Sequence, residues 1–342
     1  MEKIKVGIVG LGRLGKVHAK NLAENVQGCQ LIAACSFVKE ELDYAVRELG
    51  VEETYQDYEE MVKSPTIDAV FIVSPSGFHC EQIQLAMEHG KHVFSEKPIG
   101  LDLAEIKATE RVIQSRSEQV FMLGFMRRYD DSYRYAKQLV EDGKLGELTL
   151  MRCYSIDPSS GMESFVKFAG ASDSGGIFMD MSIHDIDLVR WFTEKEVSKV
   201  WALGKNAAYP ELDKVGELET GAAMMQLENQ AMAILVAGRN CHHGYHVETE
   251  LIGTKGMLRV AAAPEKNLVT IMDEKGVVRA CSQDFPERFR EAFVNEAKEF
   301  IACIKEKRQP QVSAYDGLQS TKIALACKQS FETNELITIE NL

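Results

Sequence analysis

Along the first third of the chain, apolar runs of strand length alternate with stretches whose apolar residues recur at helical spacing. Ile4 to Val9, Gln30 to Cys35, Ala69 to Val73, His92 to Ser95 and Val120 to Gly124 read as strands. Leu14 to Glu24, Glu40 to Leu49, His79 to His89 and Leu103 to Ser115 read as the helices between them. Parallel neighbours can be joined only by a long right-handed crossover, so this repeat predicts an N-terminal, doubly wound parallel sheet of the Rossmann type.

After Phe125 the pattern changes. A helix near Asp131 to Glu141 leads into a long strand, Glu147 to Ile156, and then a Gly/Ser-rich loop to Gly176. Phe178 to Phe192 carries apolar residues close to helical spacing. From Val197 to Ala280 strands follow one another across short turns, such as Leu227 to Gln230 and Asp273 to Gly276. Consecutive strands without crossover helices imply a largely antiparallel sheet. Helices over Glu287 to Glu306 and Gly317 to Glu332 and a short strand, Leu336 to Ile339, finish the chain. The expected fold class is α/β, with a dinucleotide-binding Rossmann domain over residues 1–125 and an α+β domain over 126–342 for substrate and oligomerisation. The cleft between such halves is the usual place for a ligand.

A chain of 342 residues exceeds what one hydrophobic core usually serves, in keeping with two domains. A net charge of −13 disfavours a nucleic-acid partner, since that binding runs on Lys and Arg. No apolar run is long enough to span a membrane. The first residues, Met1-Glu-Lys-Ile-Lys, have no signal-peptide pattern, and the eight cysteines form no C-x-x-C pair. The expectation is a cytoplasmic protein with reduced, mostly buried thiols.

Gly10-Leu-Gly12-Arg13-Leu14-Gly15 is a G-x-G-x-x-G that follows a strand and opens a helix. Gly10 permits the tight turn, Gly12 the approach of a pyrophosphate, and Gly15 close helix–strand packing. About twenty residues on, an acidic residue would hold the ribose 2′-hydroxyl of NAD. Here the second strand runs into Ser36-Phe-Val-Lys39, with no carboxylate at its tip. Ser36 can bond a 2′-hydroxyl or a 2′-phosphate and Lys39 adds charge for the latter, so NAD is favoured and NADP stays open.

Two later segments carry ionisable groups suited to hydride chemistry. Glu96-Lys97-Pro98 closes an apolar strand, which puts Lys97 at the carboxyl end of a parallel sheet, where ligands bind. Asp180 and His184 stand four apart on a helix and share a face. An i, i+4 pair can ligate zinc, but no His-x-x-x-His or cysteine cluster accompanies it, so no metal is expected. Asp187 reads as a solvated or capping residue. His242, His243 and His246, beside Cys241, read as a strand tip.

Taken together, the glycine loop, Ser74-Pro75-Ser-Gly-Phe-His79, Glu96-Lys97-Pro98 and Gly175 to His184 resemble the glucose-fructose oxidoreductase/inositol dehydrogenase (Gfo/Idh/MocA) family over nearly the whole chain. Gly124 to Asp130 and Asn240 to Tyr245 resemble its inositol dehydrogenase branch, with scyllo-inositol a good candidate substrate. The resemblance implies a catalytic triad of Lys97, Asp180 and His184. It implies cofactor contacts from Gly10, Gly12, Arg13, Leu14, Gly15, Ser36, Lys39, Ser74, Pro75, His79, Glu96 and Lys97. Looser matches imply substrate contacts from Arg127, Asp157 and Tyr245. Ser36 departs from the acidic residue of many NAD-specific relatives.

The expected activity is oxidation of a secondary hydroxyl of a cyclitol such as myo- or scyllo-inositol. His184 would act as general base, and Lys97 as the cation that favours the developing alkoxide. Alternatives are a dehydrogenase of another sugar or aldose, a glycoside hydrolase working through transient oxidation by NAD, and a dinucleotide sensor without turnover. The resemblance also implies a homo-tetramer or dimer.

Overall fold

Strands and helices alternate through the front of the computed structural model, which describes residues 3–169, 174–261, 265–274 and 276–342. In order they are β1 (Ile4–Val9), α1 (Arg13–Glu24), β2 (Cys29–Cys35), α2 (Lys39–Leu49), β3 (Glu53–Tyr55), α3 (Tyr58–Lys63), β4 (Ala69–Ile72), α4 (His79–Glu88), β5 (His92–Glu96), α5 (Leu103–Ser115) and β6 (Phe121–Gly124). Then come α6 (Asp131–Glu141), β7 (Leu148–Pro158), α7 (Met162–Ala169), α8 (Ile183–Thr193), β8 (Val197–Lys205), β9 (Thr220–Leu227), β10 (Met232–Cys241), β11 (His246–Gly253), β12 (Gly256–Val260), β13 (Glu265–Asp273) and β14 (Gly276–Cys281). The chain ends with α9 (Phe285–Arg288), α10 (Arg290–Glu306), α11 (Ala314–Thr333) and β15 (Ile337–Thr338).

The chain divides into two compact units: Met1–Tyr129 with Glu291–Thr321, and Asp130–Arg290 with Lys322–Leu342. In the first, six parallel strands run in the order β3-β2-β1-β4-β5-β6. The order reverses between β1 and β4, the point at which open α/β sheets bind ligands. Both faces of this sheet are covered, so its strands are continuously apolar: all of Ala69, Val70, Phe71 and Ile72 are fully buried. The core runs from Val6, Ile8, Phe71 and Phe94 to Phe300, Ile301 and Ile304 on α10. Phe71 and Phe94 stack at 4.4 Å, and Phe300 meets Phe71 edge-on at 5.4 Å. Each such ring contributes about 1.5–3 kcal/mol by leaving water. The C-terminal segment thus packs with the front half, a pairing that periodicity does not reveal.

The second unit holds a seven-stranded sheet, β12-β11-β7-β10-β9-β8-β15, and a separate β13-β14 hairpin. All neighbours in the larger sheet are antiparallel except β7 and β10, so the expected largely antiparallel sheet is present. Along β9 burial alternates strictly, the mark of a sheet with one covered face.

The short elements β3, α3 and α7 escape the sequence reading, and the helix expected over Glu287 to Glu306 is two, α9 and α10. Of these, α7 stands inside the expected Gly/Ser-rich loop; residues 170–173 of that loop, and Lys275 of the expected turn, lie outside the described residues. A turn of π-helix, Phe178–Ser182, opens the helix expected over Phe178 to Phe192. Asp187 is only 1% exposed, because α8 is buried nearly all round; the expectation of a solvated or capping residue is corrected. Among the described residues, no helix is long and apolar enough to cross a membrane.

Candidate active site

In the first unit the expected dinucleotide residues stand along the carboxyl ends of β1, β2, β4 and β5. Gly10 takes φ +85° and donates its N–H to Cys35 O at 3.0 Å, linking the β1 turn to β2. A Cβ on Gly15 would lie 2.0 Å from Gly10 O, so only glycine lets α1 start this close to the turn. A Cβ on Gly12 would meet nothing within 4 Å, so packing does not explain that glycine; clearance for an approaching group does. Gly12 also gives α1 no side-chain cap, and the first turn carries no acid. Its N–H groups and the helix dipole therefore favour an anion such as a pyrophosphate. Arg13 is exposed and Leu14 half-buried in that turn.

At the β2 tip, Ser36 Oγ donates to Glu41 Oε2 at 2.6 Å and accepts the Val38 N–H at 3.0 Å. The tip therefore does have a carboxylate, brought from the first turn of α2. No acid stands at the strand end itself, as the sequence reads; this one comes from five residues past Ser36. Lys39 is exposed at the start of α2, and Phe37 is 84% exposed.

Two residues of the resemblance brace the loops. His79, 1% exposed, engages Pro98 O at 2.7 Å and Ser74 O at 2.8 Å with its two ring nitrogens. Burial lowers its pKa against the opposing effect of those carbonyls. Ser74 Oγ donates to Gln82, next to Pro75 and the start of α4. Glu96, 5% exposed, takes His18 Nε2 at 2.8 Å on Oε1 and the Lys97 N–H at 3.1 Å on Oε2. Lys97 is half-buried, just past the end of β5, and its bond to Pro98 is cis. Arg127, 3% exposed, lies in the 3-10 turn Met126–Tyr129.

In the second unit, Asp180 stands on the π turn and His184, 9% exposed, at the start of α8. Asp180 Oδ2 receives Arg239 Nη2 at 3.0 Å. Arg239, 4% exposed, stacks on Phe165 at 3.9 Å and comes within 3.9 Å of Glu217. Sequence reasoning missed Arg239; a lone arginine near the end of an apolar strand is the only signal. Ser155 Oγ donates to Asp185 Oδ2 at 2.6 Å, tying α8 to β7 two residues before Asp157. Tyr245 is buried at the entry to β11, its N–H on Ser282 O at 2.7 Å and its ring edge-on to Phe289. Asp180 on the π turn is thus tied to β10, α8 with His184 is tied to β7, and β7, which carries Asp157 next to its last residue, pairs with both β10 and β11, the latter entered at Tyr245.

The histidine-rich tip joins β10 to β11, with His243 Nε2 3.1 Å from His246 Nδ1 and His246 Nε2 3.2 Å from Glu248. All eight cysteines are free thiols, and burial pushes Cys35, Cys303 and Cys327 up to about 12, which keeps them protonated.

Residues 4–125 match the model of an oxidoreductase family with an NAD-binding Rossmann fold, and residues 133–259 match the GFO/IDH/MocA C-terminal domain. The chain is 31% identical over 338 residues to scyllo-inositol 2-dehydrogenase (NAD(+)) of Bacillus subtilis, covering 99% of this chain and 97% of that protein. Among solved structures it is similar to scyllo-inositol dehydrogenase of Lactobacillus casei with bound NAD(H) and scyllo-inositol: 62% identity, TM-score 0.97, covering 99% of this chain and 100% of that one. It is also similar to myo-inositol 2-dehydrogenase of Lactobacillus plantarum, at 46% identity and TM-score 0.97 over 98% of this chain and 99% of that one.

Proposed function

The chain belongs to the Gfo/Idh/MocA oxidoreductase family, and we propose that it oxidises a ring hydroxyl of scyllo-inositol to the ketone, with NAD as cofactor. It is an NAD-dependent dehydrogenase of cyclitols, and the observation that carries the choice of isomer is the 62% identity, end to end, with an enzyme seen holding NAD(H) and scyllo-inositol. The site fits that cofactor: open space over Gly12, an uncapped helix start, and a Ser36–Glu41 pair at the ribose position.

Bound nicotinamide supplies a hydride acceptor at C4. The chain's own residues handle the proton and the charge. His184, through an imidazole nitrogen, takes the hydroxyl proton as the C–H bond breaks, a role worth about 10² to 10⁴ in rate. The Lys97 ammonium donates to the same oxygen and stabilises its developing negative charge. Asp180, fixed by Arg239, orients the imidazole. Arg127, Asp157 and Tyr245 bond the remaining ring hydroxyls, which favours a polyol over an apolar ketone. A panel of inositols and aldoses, each with NAD and with NADP and read by the near-ultraviolet absorbance of the reduced cofactor, tests the reading. Fastest turnover on an aldose, or on myo-inositol, would refute the choice of scyllo-inositol.

The working form is a homo-oligomer joined through the uncovered sheet face of the second unit. There Trp201, Met224, Met232 and Leu336 stay 38–61% exposed around a groove of about 520 Å³, with Lys199 and Gln226 at its polar positions. A contiguous apolar face rimmed by polar residues marks an interface, and an identical face supplies a matching partner by two-fold symmetry. Light scattering that gives 38.2 kDa at assay concentration would refute this. The reduced, buried thiols favour a cytoplasmic location.

A further inference from the structure

Three ionisable residues from separate elements of the first unit meet inside its core: His18 on α1, Glu96 at the end of β5 and Glu296 on α10. One ligand atom from each lies within 4.8 Å of the other two. His18 and Glu296 are fully buried and Glu96 is 5% exposed. Aromatic rings wall the group: His18 lies 5.4 Å from Phe94, 5.4 Å from Phe293 and 5.9 Å from Phe71. In such surroundings an uncompensated charge is strongly disfavoured, so the number of protons in the group is fixed by the packing.

Glu96 is the better placed of the two acids to hold the charge: its Oε2 accepts the Lys97 amide, and its Oε1 lies 2.8 Å from His18 Nε2, which donates to it in the tautomer protonated there. Neither Glu296 oxygen has a donor among the described residues, and neither does His18 Nδ1. A carboxylate buried without a single donor is untenable, whereas a neutral carboxylic acid carries no charge that needs one. Burial and the charge of Glu96 both push the Glu296 carboxyl well above its ordinary range. Of the other titratable groups nearby, His79 feels the charges of Glu96 and Lys97, and Tyr129 that of Glu296. The neighbouring strand leaves room for the arrangement. Gly124 pairs with Glu96 across β5 and β6, and a Cβ there would lie 3.2 Å from Glu96 Cδ.

We propose that Glu96 and Glu296 are positioning residues: with His18 they form a buried set in which Glu296 is the neutral acid and Glu96 the carboxylate, and this set holds Lys97 in place for catalysis through its backbone amide. The inference rests on the reading of Lys97 as the catalytic ammonium. None of the three side chains needs to touch cofactor or substrate. Their effect is geometric, because Lys97 stands at the end of β5 and its amide is tied to a carboxylate that cannot turn.

The test has a spectroscopic and a kinetic arm. Infrared spectra of the whole protein at neutral pH should show the carbonyl stretch of a buried protonated carboxylic acid, lost in Glu296→Gln and kept in Lys97→Ala. In Glu296→Ala, kcat should fall about 10- to 100-fold, the scale on which a misplaced catalytic group acts, while KM and the NAD dissociation constant stay within about threefold. Glu296→Gln, a neutral donor of the same shape, should restore kcat to within about fivefold of the parent. Absence of the acid band, a stoichiometric divalent ion in the purified protein that Glu296→Gln loses, or unchanged kcat in Glu296→Ala would overturn the proposal. If Glu296→Ala does not fold, the infrared band decides. Full turnover in Lys97→Ala would instead overturn the parent reading of Lys97 and leave the band in place.

Discussion

We predict that Glu41 favours NAD over NADP, and the size of the effect follows from its position. Its carboxylate accepts the Ser36 hydroxyl at 2.6 Å. A 2′-phosphate seated on that hydroxyl would stand about 5 Å from the carboxylate, one hydrogen-bond length further out. Such a phosphate carries a charge of about −1.5 to −2. Coulomb's law then gives a repulsion of about 1.2–1.7 kcal/mol at the dielectric of water and about 5–7 kcal/mol at an effective dielectric of about 20. Glu41 is half-buried at the surface, so the lower figure applies, equivalent to about 8- to 17-fold in specificity. Glu41→Gln keeps the shape and removes the charge. The ratio of kcat/KM with NADP to that with NAD should therefore rise by about 8- to 17-fold, and by less as salt screens the pair. Initial rates with each cofactor at saturating inositol, at low and high ionic strength, measure it. A ratio that moves by less than about threefold in the variant, or a parent enzyme that already uses both cofactors equally, would refute the electrostatic argument.

Lys97→Ala and His184→Ala should each lower kcat by about 10² to 10⁴ with NAD binding intact, as read by steady-state rates and by titration of cofactor fluorescence. Arg239→Met removes the cation shared by Asp180 and the buried Glu217, and should cost about 2–3 kcal/mol in thermal unfolding, a figure discounted because Asp180 is 38% exposed. Glu296 sets a pH dependence of stability. Its native pKa lies above the ordinary 4.5, so above that pH the unfolded chain has lost a proton that the native protein keeps. Stability then falls by about 1.4 kcal/mol per pH unit for that proton until the native pKa is reached. Melting temperatures from about pH 5 to about pH 7 should therefore show Glu296→Gln gaining on the parent as pH rises, and parallel curves would contradict the neutral acid.

The doubly wound sheet was legible in the sequence because both of its faces are covered, which leaves each strand an uninterrupted apolar run such as Ala69–Ile72. The glycine loop was legible because it rests on local sterics: Gly15 faces Gly10 O, five residues away. β3 and α3 were not, since three and six residues leave too short a window for any period to emerge. The buried face of α8 misled in another way, because a residue on a helix covered nearly all round, such as Asp187, has the same spacing as one on a solvated face.

The residues that sequence reasoning missed share a physical cause. Glu41, Arg239, His18 and Glu296 act through partners that the fold, not the chain, puts beside them. Glu41 sits in a helical turn that any acidic residue can occupy, and it gains meaning only because α2 starts where β2 ends. Glu296 and His18 lie 278 positions apart by subtraction of their numbers, on two amphipathic helices where a polar residue normally marks the solvent side. Here each points inward, toward Glu96. An ionisable residue on the buried face of a helix is therefore the signal to seek, since such a position survives only when a second and third group, from elsewhere in the chain, fix its charge. Glu296 stands among Ala292, Phe293, Ala297 and Phe300, all nearly or fully buried, which marks it as inward-facing from spacing alone once the phase of α10 is set.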